Sequence, residues 1–212
     1  HVSMRHPDDP KRYLMARSVA PALVTPDDII EYDLDSNALT ANGRSSFLER
    51  FIHGEIYKAR SDIHSVVHSH SPSVIPFGLV NVPMQAMFHN AAFLADGVPV
   101  FDIRQKFGAT DMLVSDIPKG VALVESMKGK DNVLMRGHGS VASGSTLQNA
   151  VFRAVYTEVS ARIQATAQAL GGGQPIAALD AEEGKLADYI NQTAGMRAWH
   201  LWREQVRAQV SW

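Results

Sequence analysis

The sequence has no cysteine, no long apolar run and no excess of charge of either sign. The lack of cysteine excludes a disulfide framework and leads us to expect a cytoplasmic protein. No run approaches the roughly 20 apolar residues that cross a bilayer, so a membrane is not an expected partner. Lys and Arg number 20 against 22 Asp and Glu, and the basic residues are scattered, which argues against nucleic acid. We therefore expect a small-molecule substrate.

The 212 residues suit one domain with a sizeable core, and we expect a single domain over residues 1–212. The chain begins at His1 with strand-like sequence, so we expect that N-terminal residues are missing. Short apolar runs predict strands at residues 2–5, 13–16, 29–32, 63–68, 98–101 and 133–135.

Helical spacing predicts helices between these strands. The first starts near Ser45 or Ser46, the second near Asp116, and the third at Ser145 or Thr146. The third is predicted to bury residues 147, 151, 155, 159 and 163, and a last helix follows position 175. Strands and helices interleave without strict βαβ regularity. This order favours an α/β protein with a mixed sheet covered by helices on both faces.

Three histidines have the spacing of a metal site. His68 and His70 end a β-branched run, so on a strand both point to the same face. His138 follows a second apolar run and has glycine on both sides, which lets the backbone approach closely. Three neutral imidazoles leave a divalent ion open to substrate, as in catalytic sites. We predict one divalent ion per subunit, Zn²⁺ or Mn²⁺, with Fe²⁺ an alternative.

Glu49 lies 19 residues before His68, and here the sequence resembles a known family. The pattern Glu-x18-His-x-His, a later His-Gly and the opening His-Val-Ser-Met-Arg resemble the class II aldolase and adducin family from residue 2 to about 163. The resemblance implies three αβα layers around a mixed, largely antiparallel sheet, and a homotetramer with sites between subunits. It implies that the three histidines bind the metal and that Glu49 is the acid/base. The residue types agree, because a carboxylate beside a metal-bound substrate can move a proton.

The sequence departs from the sugar-phosphate aldolases of this family where they hold phosphate. Those enzymes typically have Gly-Asn-Val-Ser at the opening and Ser-Ser before the glutamate. Here His1 takes the asparagine position, and Phe47 and Leu48 take the serine positions. A phenyl ring and an isobutyl group cannot bind a phosphate dianion, but they can flank a flat apolar ring. We therefore expect Phe47 and Leu48 to bind an unphosphorylated, planar substrate.

Within the family, the runs at residues 1–7, 49–57 and 136–139 look most like decarboxylases of hydroxylated aromatic or pyridine dicarboxylates. The implied activity is a metal-dependent lyase that decarboxylates such an acid through a metal-chelated, enolate-like intermediate. Arg5 and Arg50 are candidate clamps for the substrate carboxylate, because a guanidinium binds a carboxylate through two parallel bonds. His89 lies near the position of a family tyrosine that donates a proton from a neighbouring subunit, and is a second catalytic candidate.

Three alternatives remain open at this point. One is an aldolase, hydratase or epimerase acting on a small unphosphorylated hydroxycarbonyl. Another is a non-haem iron oxygenase, since three histidines also bind iron. The third is a non-catalytic scaffold like the adducin head domain, which the presence of the three histidines and Glu49 disfavours. Trp199, Trp202 and Trp212 are candidates for a subunit interface or a cover over the site.

Overall fold

The computed structural model describes residues 1–209. Within them, seven strands form one sheet in the spatial order β3-β2-β1-β4-β7-β6-β5. The strands are β1 Val2–Arg5, β2 Arg12–Ala16, β3 Ile29–Asp33, β4 Ser65–Ser69, β5 Val100–Phe101, β6 Asn132–Met135 and β7 Gly139–Gly144. β5 and β6 are parallel and the other neighbouring pairs are antiparallel. The predicted mixed, largely antiparallel sheet is confirmed.

The helices are α1 Arg50–Ala59, α2 Arg104–Phe107, α3 Ile117–Met127, α4 Leu147–Gly171, α5 Ala181–Ala194 and α6 Met196–Arg207. Short 3-10 helices lie at Pro21–Leu23, Pro26–Asp28, Ile75–Gly78 and His89–Leu94. None of the helices in the described part of the chain combines the length and the hydropathy that crossing a bilayer needs.

Helices cover both faces of the sheet, and strand β6 shows it residue by residue. Val133 and Met135 join one buried cluster with residues of α1 and α3. Leu134, between them, points to a second cluster that includes Ala161 of α4. Because successive side chains of a strand point to opposite faces, α1 and α3 lie on one side of the sheet and α4 on the other. This is the three-layer αβα arrangement expected from the sequence.

Two helix starts agree with the sequence, and the first does not. The Asp116 and Thr146 side chains accept hydrogen bonds from the backbone N–H of residues 119 and 149, so they cap α3 and α4 as predicted. Helix α1 begins at Arg50, not near Ser45 or Ser46. The Ser46 hydroxyl accepts a hydrogen bond from Tyr32 instead of capping a helix.

The predicted buried face of α4 is wrong. Val155 and Ile163 are 37% and 38% exposed, whereas polar residues of the same helix are buried. Arg153 donates to Asp131 and to the Ser143 carbonyl, and Gln164 donates to the Pro83 carbonyl. These polar residues satisfy backbone groups that the helix covers, so this face packs inward despite its composition.

Candidate metal centre

The sheet topology brings the three histidines to one place. His68 lies near the end of β4, and His70 follows one residue after it. β4 pairs antiparallel with β7, with Ser69 opposite Ser140. His138 lies in the turn that joins β6 to β7, immediately before Gly139. The end of β4 and the tip of the β6–β7 hairpin therefore share one edge of the sheet.

Four donor atoms converge there. His68 Nε2 lies 3.1 Å from His70 Nε2. Glu49 Oε2 lies 3.3 Å from His68 Nε2 and 3.3 Å from His138 Nε2. One ligand atom from each of the four residues lies within 4.8 Å of all the others. Ligands about 2.05 Å from a tetrahedral ion are roughly 3.3 Å apart, so these separations fit a single metal ion.

The second nitrogen of two of these rings is held by the backbone. His68 Nδ1 lies 3.1 Å from the Ser140 carbonyl, and His138 Nδ1 lies 3.1 Å from the Met112 carbonyl. A carbonyl only accepts, so both Nδ1 atoms carry the proton and both Nε2 atoms present a lone pair to the centre. Such contacts orient metal-binding histidines and make them better ligands. Met112 has a φ of 69°, an uncommon value outside glycine, and this conformation belongs to the segment that supports His138.

Glycine is required on each side of His138 for a different reason. Gly137 has a φ of +63°, in the left-handed region. A Cβ on Gly139 would lie 2.2 Å from the carbonyl oxygen of Ser69, the residue between His68 and His70. Only glycine lets β7 approach β4 this closely.

The charges of the cluster favour metal binding. Burial raises the pKa of Glu49, but the adjacent His138 and His68 imidazoles outweigh it and hold the pKa below its ordinary value, so the carboxylate is ionised. Burial lowers the pKa of His68 and of His70, which favours the neutral, ligating imidazole. The Glu49 carboxylate beside it raises the pKa of His138. Glu49 Oε1 also accepts from the Val114 backbone N–H, at 3.1 Å, which fixes the carboxylate.

A cavity of about 530 Å³ opens in front of the cluster. Glu49, His68 and His70 line it together with half-buried Phe47 and with Leu48, which is 61% exposed. The other lining residues are His1, Ser18, Pro21, Ser69 and Leu113. The two apolar side chains predicted to flank the substrate therefore lie beside the candidate metal ligands.

The structure places the two candidate arginines elsewhere. Arg5 is buried, and its guanidinium donates to the carbonyls of Pro10, Tyr57, Arg60 and Ile63. Arg50 donates to the carbonyls of Ser36 and Phe47. Neither lines the cavity, so this geometry gives no support to their predicted role as substrate clamps. Both hold backbone segments around α1.

His89 also lies apart from the four-residue cluster. It begins the 3-10 helix His89–Leu94, is exposed, and its carbonyl accepts from Asn191 of α5. His89 therefore has no place in the cavity of its own chain, and its predicted proton-donor role requires a second copy.

Some residues at the site carry no sequence signal. The segment Met112–Val114 holds His138 through a carbonyl and Glu49 through an N–H, and backbone groups are present at every position of any chain. His1 lines the cavity, and its imidazole is hydrogen-bonded to buried His53. The only feature of the sequence that pointed to His1 is its position opposite a family asparagine.

The chain is similar to known proteins in sequence and in fold. A family model described as the Class II Aldolase and Adducin N-terminal domain matches residues 1–165. Decarboxylase tropJ of Talaromyces stipitatus is 31% identical over 227 residues, which cover 97% of this chain and 85% of the relative. The 3,4-dihydroxyphthalate decarboxylase of Arthrobacter keyseri is 25% identical over 227 residues, covering 100% of this chain and 86% of the relative. An aldolase II superfamily protein from Pseudomonas syringae has the same fold, with a TM-score of 0.79 and 18% identity over 98% of this chain and 83% of that one.

Proposed function

The chain belongs to the class II aldolase and adducin family, and from this membership and the site geometry we propose that it is a metal-dependent decarboxylase of hydroxylated aromatic or heteroaromatic carboxylates. Both relatives described above are named as decarboxylases, and one is named for a hydroxylated phthalate. The observation that carries the proposal is the cavity, in which Phe47 and Leu48 lie next to Glu49 and the imidazoles.

His68, His70 and His138 would hold a divalent ion, with Zn²⁺ or Mn²⁺ the best match to nitrogen and carboxylate donors and Fe²⁺ also compatible. When bound, such an ion supplies a Lewis acid for the substrate's neighbouring hydroxyl and carboxylate oxygens. The chain's own contribution is to hold three imidazoles around one point.

Phe47 and Leu48 set the class of substrate. A phosphate dianion needs several donors or cations, and these two side chains offer none. A planar ring can instead lie against a phenyl group and an aliphatic chain. These two side chains therefore disfavour sugar phosphates and favour a decarboxylase over an ordinary aldolase.

Glu49 is the proposed acid/base. As an ionised carboxylate it takes the proton of the ring hydroxyl. The bond between ring carbon and carboxylate then breaks, CO₂ leaves, and the electron pair stays with the ring carbon. Glu49 returns its proton to that carbon, and the ring oxygen takes a proton from solvent. The reaction therefore consumes one proton for each CO₂ released.

We propose that the chain works as a homo-oligomer, with a homotetramer as the specific form. Exposed apolar side chains on several elements support it, including Val2, Val155, Ile163 and Leu201. Trp199 and Trp202 are half-buried on α6, and Trp212 lies outside the described residues. In an oligomer, exposed His89 could approach a neighbouring cavity.

The role of Glu49 is tested by decarboxylation in D₂O. Metal-loaded protein should convert 3,4-dihydroxyphthalate to a product with one deuterium at the vacated ring carbon. Glu49→Gln should slow CO₂ release by about 100-fold or more, the usual worth of a positioned acid/base. The control is Glu55→Gln, because Glu55 is also a buried glutamate but pairs with Lys58 away from the site. Full activity in Glu49→Gln would refute the assignment.

A further inference from the structure

His1 begins a hydrogen-bonded chain that runs from the cavity into the core. His1 Nδ1 lies 2.8 Å from His53 Nε2, and His53 Nδ1 lies 2.6 Å from Ser3 Oγ. Ser3 Oγ lies 2.7 Å from the Tyr57 hydroxyl. His53 is fully buried, and Ser3 and Tyr57 are each 2% exposed. The reaction proposed above uses none of these groups.

Counting protons shows which group donates in each of these hydrogen bonds. Among the described residues, Ser3 Oγ is the one acceptor within reach of the Tyr57 hydroxyl proton. A buried hydroxyl that does not donate is costly, so Tyr57 donates to Ser3. Ser3 then gives its own proton to His53 Nδ1, because its oxygen has no other acceptor beside it.

The same count fixes the proton on His1. His53 accepts at Nδ1, and burial keeps it neutral, so its proton lies on Nε2 and is donated to His1 Nδ1. His1 Nδ1 is then an acceptor, since two N–H groups cannot face each other at this distance. The remaining ring nitrogen, Nε2, therefore carries a proton.

This N–H is available to a ligand. Within residues 1–209, His1 Nε2 has no hydrogen-bond partner and is not among the buried unpaired atoms, so it reaches open space. The ring lines the cavity, with its centroid 4.6 Å from that of Phe47 and 5.1 Å from that of His68. A fixed donor beside an apolar wall and the candidate metal ligands suits an anionic oxygen on a flat ring.

We propose that His1 is a substrate-binding residue that donates a hydrogen bond from Nε2 to a carboxylate of the aromatic substrate, and that His53, Ser3 and Tyr57 are positioning residues that hold it as a donor. This inference rests on the proposed function, because it takes an aromatic carboxylate as the ligand. It adds a specificity determinant for carboxylated over uncarboxylated rings.

The proton count is tested without substrate. Nitrogen-15 NMR of the zinc-loaded, full-length protein should show His1 protonated at Nε2 and not at Nδ1. Tyr57→Phe removes the hydroxyl proton that starts this series of hydrogen bonds. It should therefore introduce a measurable fraction of His1 protonated at Nδ1. Tyr13→Phe is the matched control, because Tyr13 is equally buried in the same aromatic cluster but its hydroxyl points to Ser36 Oγ and the Arg50 carbonyl. His1 protonated at Nδ1 in the parent would overturn the inference.

The ligand is tested with two probes that differ by one carboxylate, 2,3-dihydroxybenzoate and catechol. His1→Phe should raise the Kd of 2,3-dihydroxybenzoate by about ten-fold or more, the worth of a hydrogen bond to a charged group. The Kd of catechol and the metal content should stay within about two-fold, because neither depends on that bond. His1→Gln, which keeps an N–H donor, should restore most of the affinity.

The outcomes separate the two proposals. Equal affinities of parent and His1→Phe for 2,3-dihydroxybenzoate, or no binding of it by the parent, overturn the role of His1. If affinity depends on His1 as predicted but no hydroxyaromatic acid loses CO₂, the reaction fails while the donor stands.

Discussion

At the scale of single residues, the site depends on which nitrogen of each histidine carries a proton. The carbonyls of Ser140 and Met112 hold the protons of His68 and His138 away from the centre. Both Nε2 lone pairs therefore point at the same space as Glu49. Sequence spacing identifies the histidines, and the backbone contacts that orient them come only from the fold.

The metal prediction belongs to this scale. His68→Ala, His70→Ala and His138→Ala should each lose stoichiometric metal after dialysis, because two imidazoles hold an ion far less tightly than three. The far-ultraviolet circular dichroism should stay close to that of the parent, since a site open to substrate contributes less to folding than a core does. His64→Ala is the control, as His64 is an exposed histidine just before β4. A His68→Ala protein with full metal content would contradict the assignment of the three histidines as metal ligands.

At the scale of elements, α4 separates what sequence can predict from what it cannot. Its apolar residues recur at four-residue spacing, and that pattern correctly predicts a helix; of the two predicted starting residues, Ser145 and Thr146, Thr146 is the cap. The pattern does not show which face packs inward, because buried Arg153 and Gln164 satisfy carbonyls of distant segments. Val155 and Ile163 are left exposed in the single chain.

The strands also divide into those that the sequence predicts and one that only the fold explains. All six predicted strands are present, because their β-branched or aromatic runs carry a local signal. Strand β7 was not predicted, since its sequence Gly-Ser-Val-Ala-Ser-Gly is small and polar. It is a strand because it is fully buried between β4 and β6. Tertiary pairing here overrides propensity, and β7 is the strand that brings His138 to β4.

The exposed stripe of α4 leads to a prediction about assembly. Light scattering at micromolar concentration should give a mass several times the 23.2 kDa of one chain. Val155→Glu with Ile163→Glu should lower that mass, because two buried carboxylates would oppose packing of apolar surfaces. Ala169→Glu, at an exposed position of the same helix, is the control and should leave the mass unchanged. A parent mass of one chain would contradict the proposed oligomer.

At the scale of the whole molecule, the hydrophobic core and the candidate metal site lie in different parts of the fold. The core between the sheet and helices α1 and α3 holds the strands, and the candidate ligands all lie at one edge beside a single cavity. The walls of that cavity include Phe47, Leu48 and His1. Phe47, Leu48 and His1 make those walls apolar with one fixed donor, and this combination favours a carboxylated aromatic ring over a sugar phosphate.

The central claim is tested most directly by one comparison on the same metal-loaded sample. The kcat/KM for release of CO₂ from 3,4-dihydroxyphthalate should exceed the kcat/KM for cleavage of fuculose 1-phosphate by about 100-fold or more, because Phe47 and Leu48 offer a phosphate dianion no hydrogen-bond donor or cation. Removal of the metal should abolish CO₂ release. Efficient cleavage of fuculose 1-phosphate, with no CO₂ released from the aromatic acid, would contradict the account and leave an ordinary aldolase in its place.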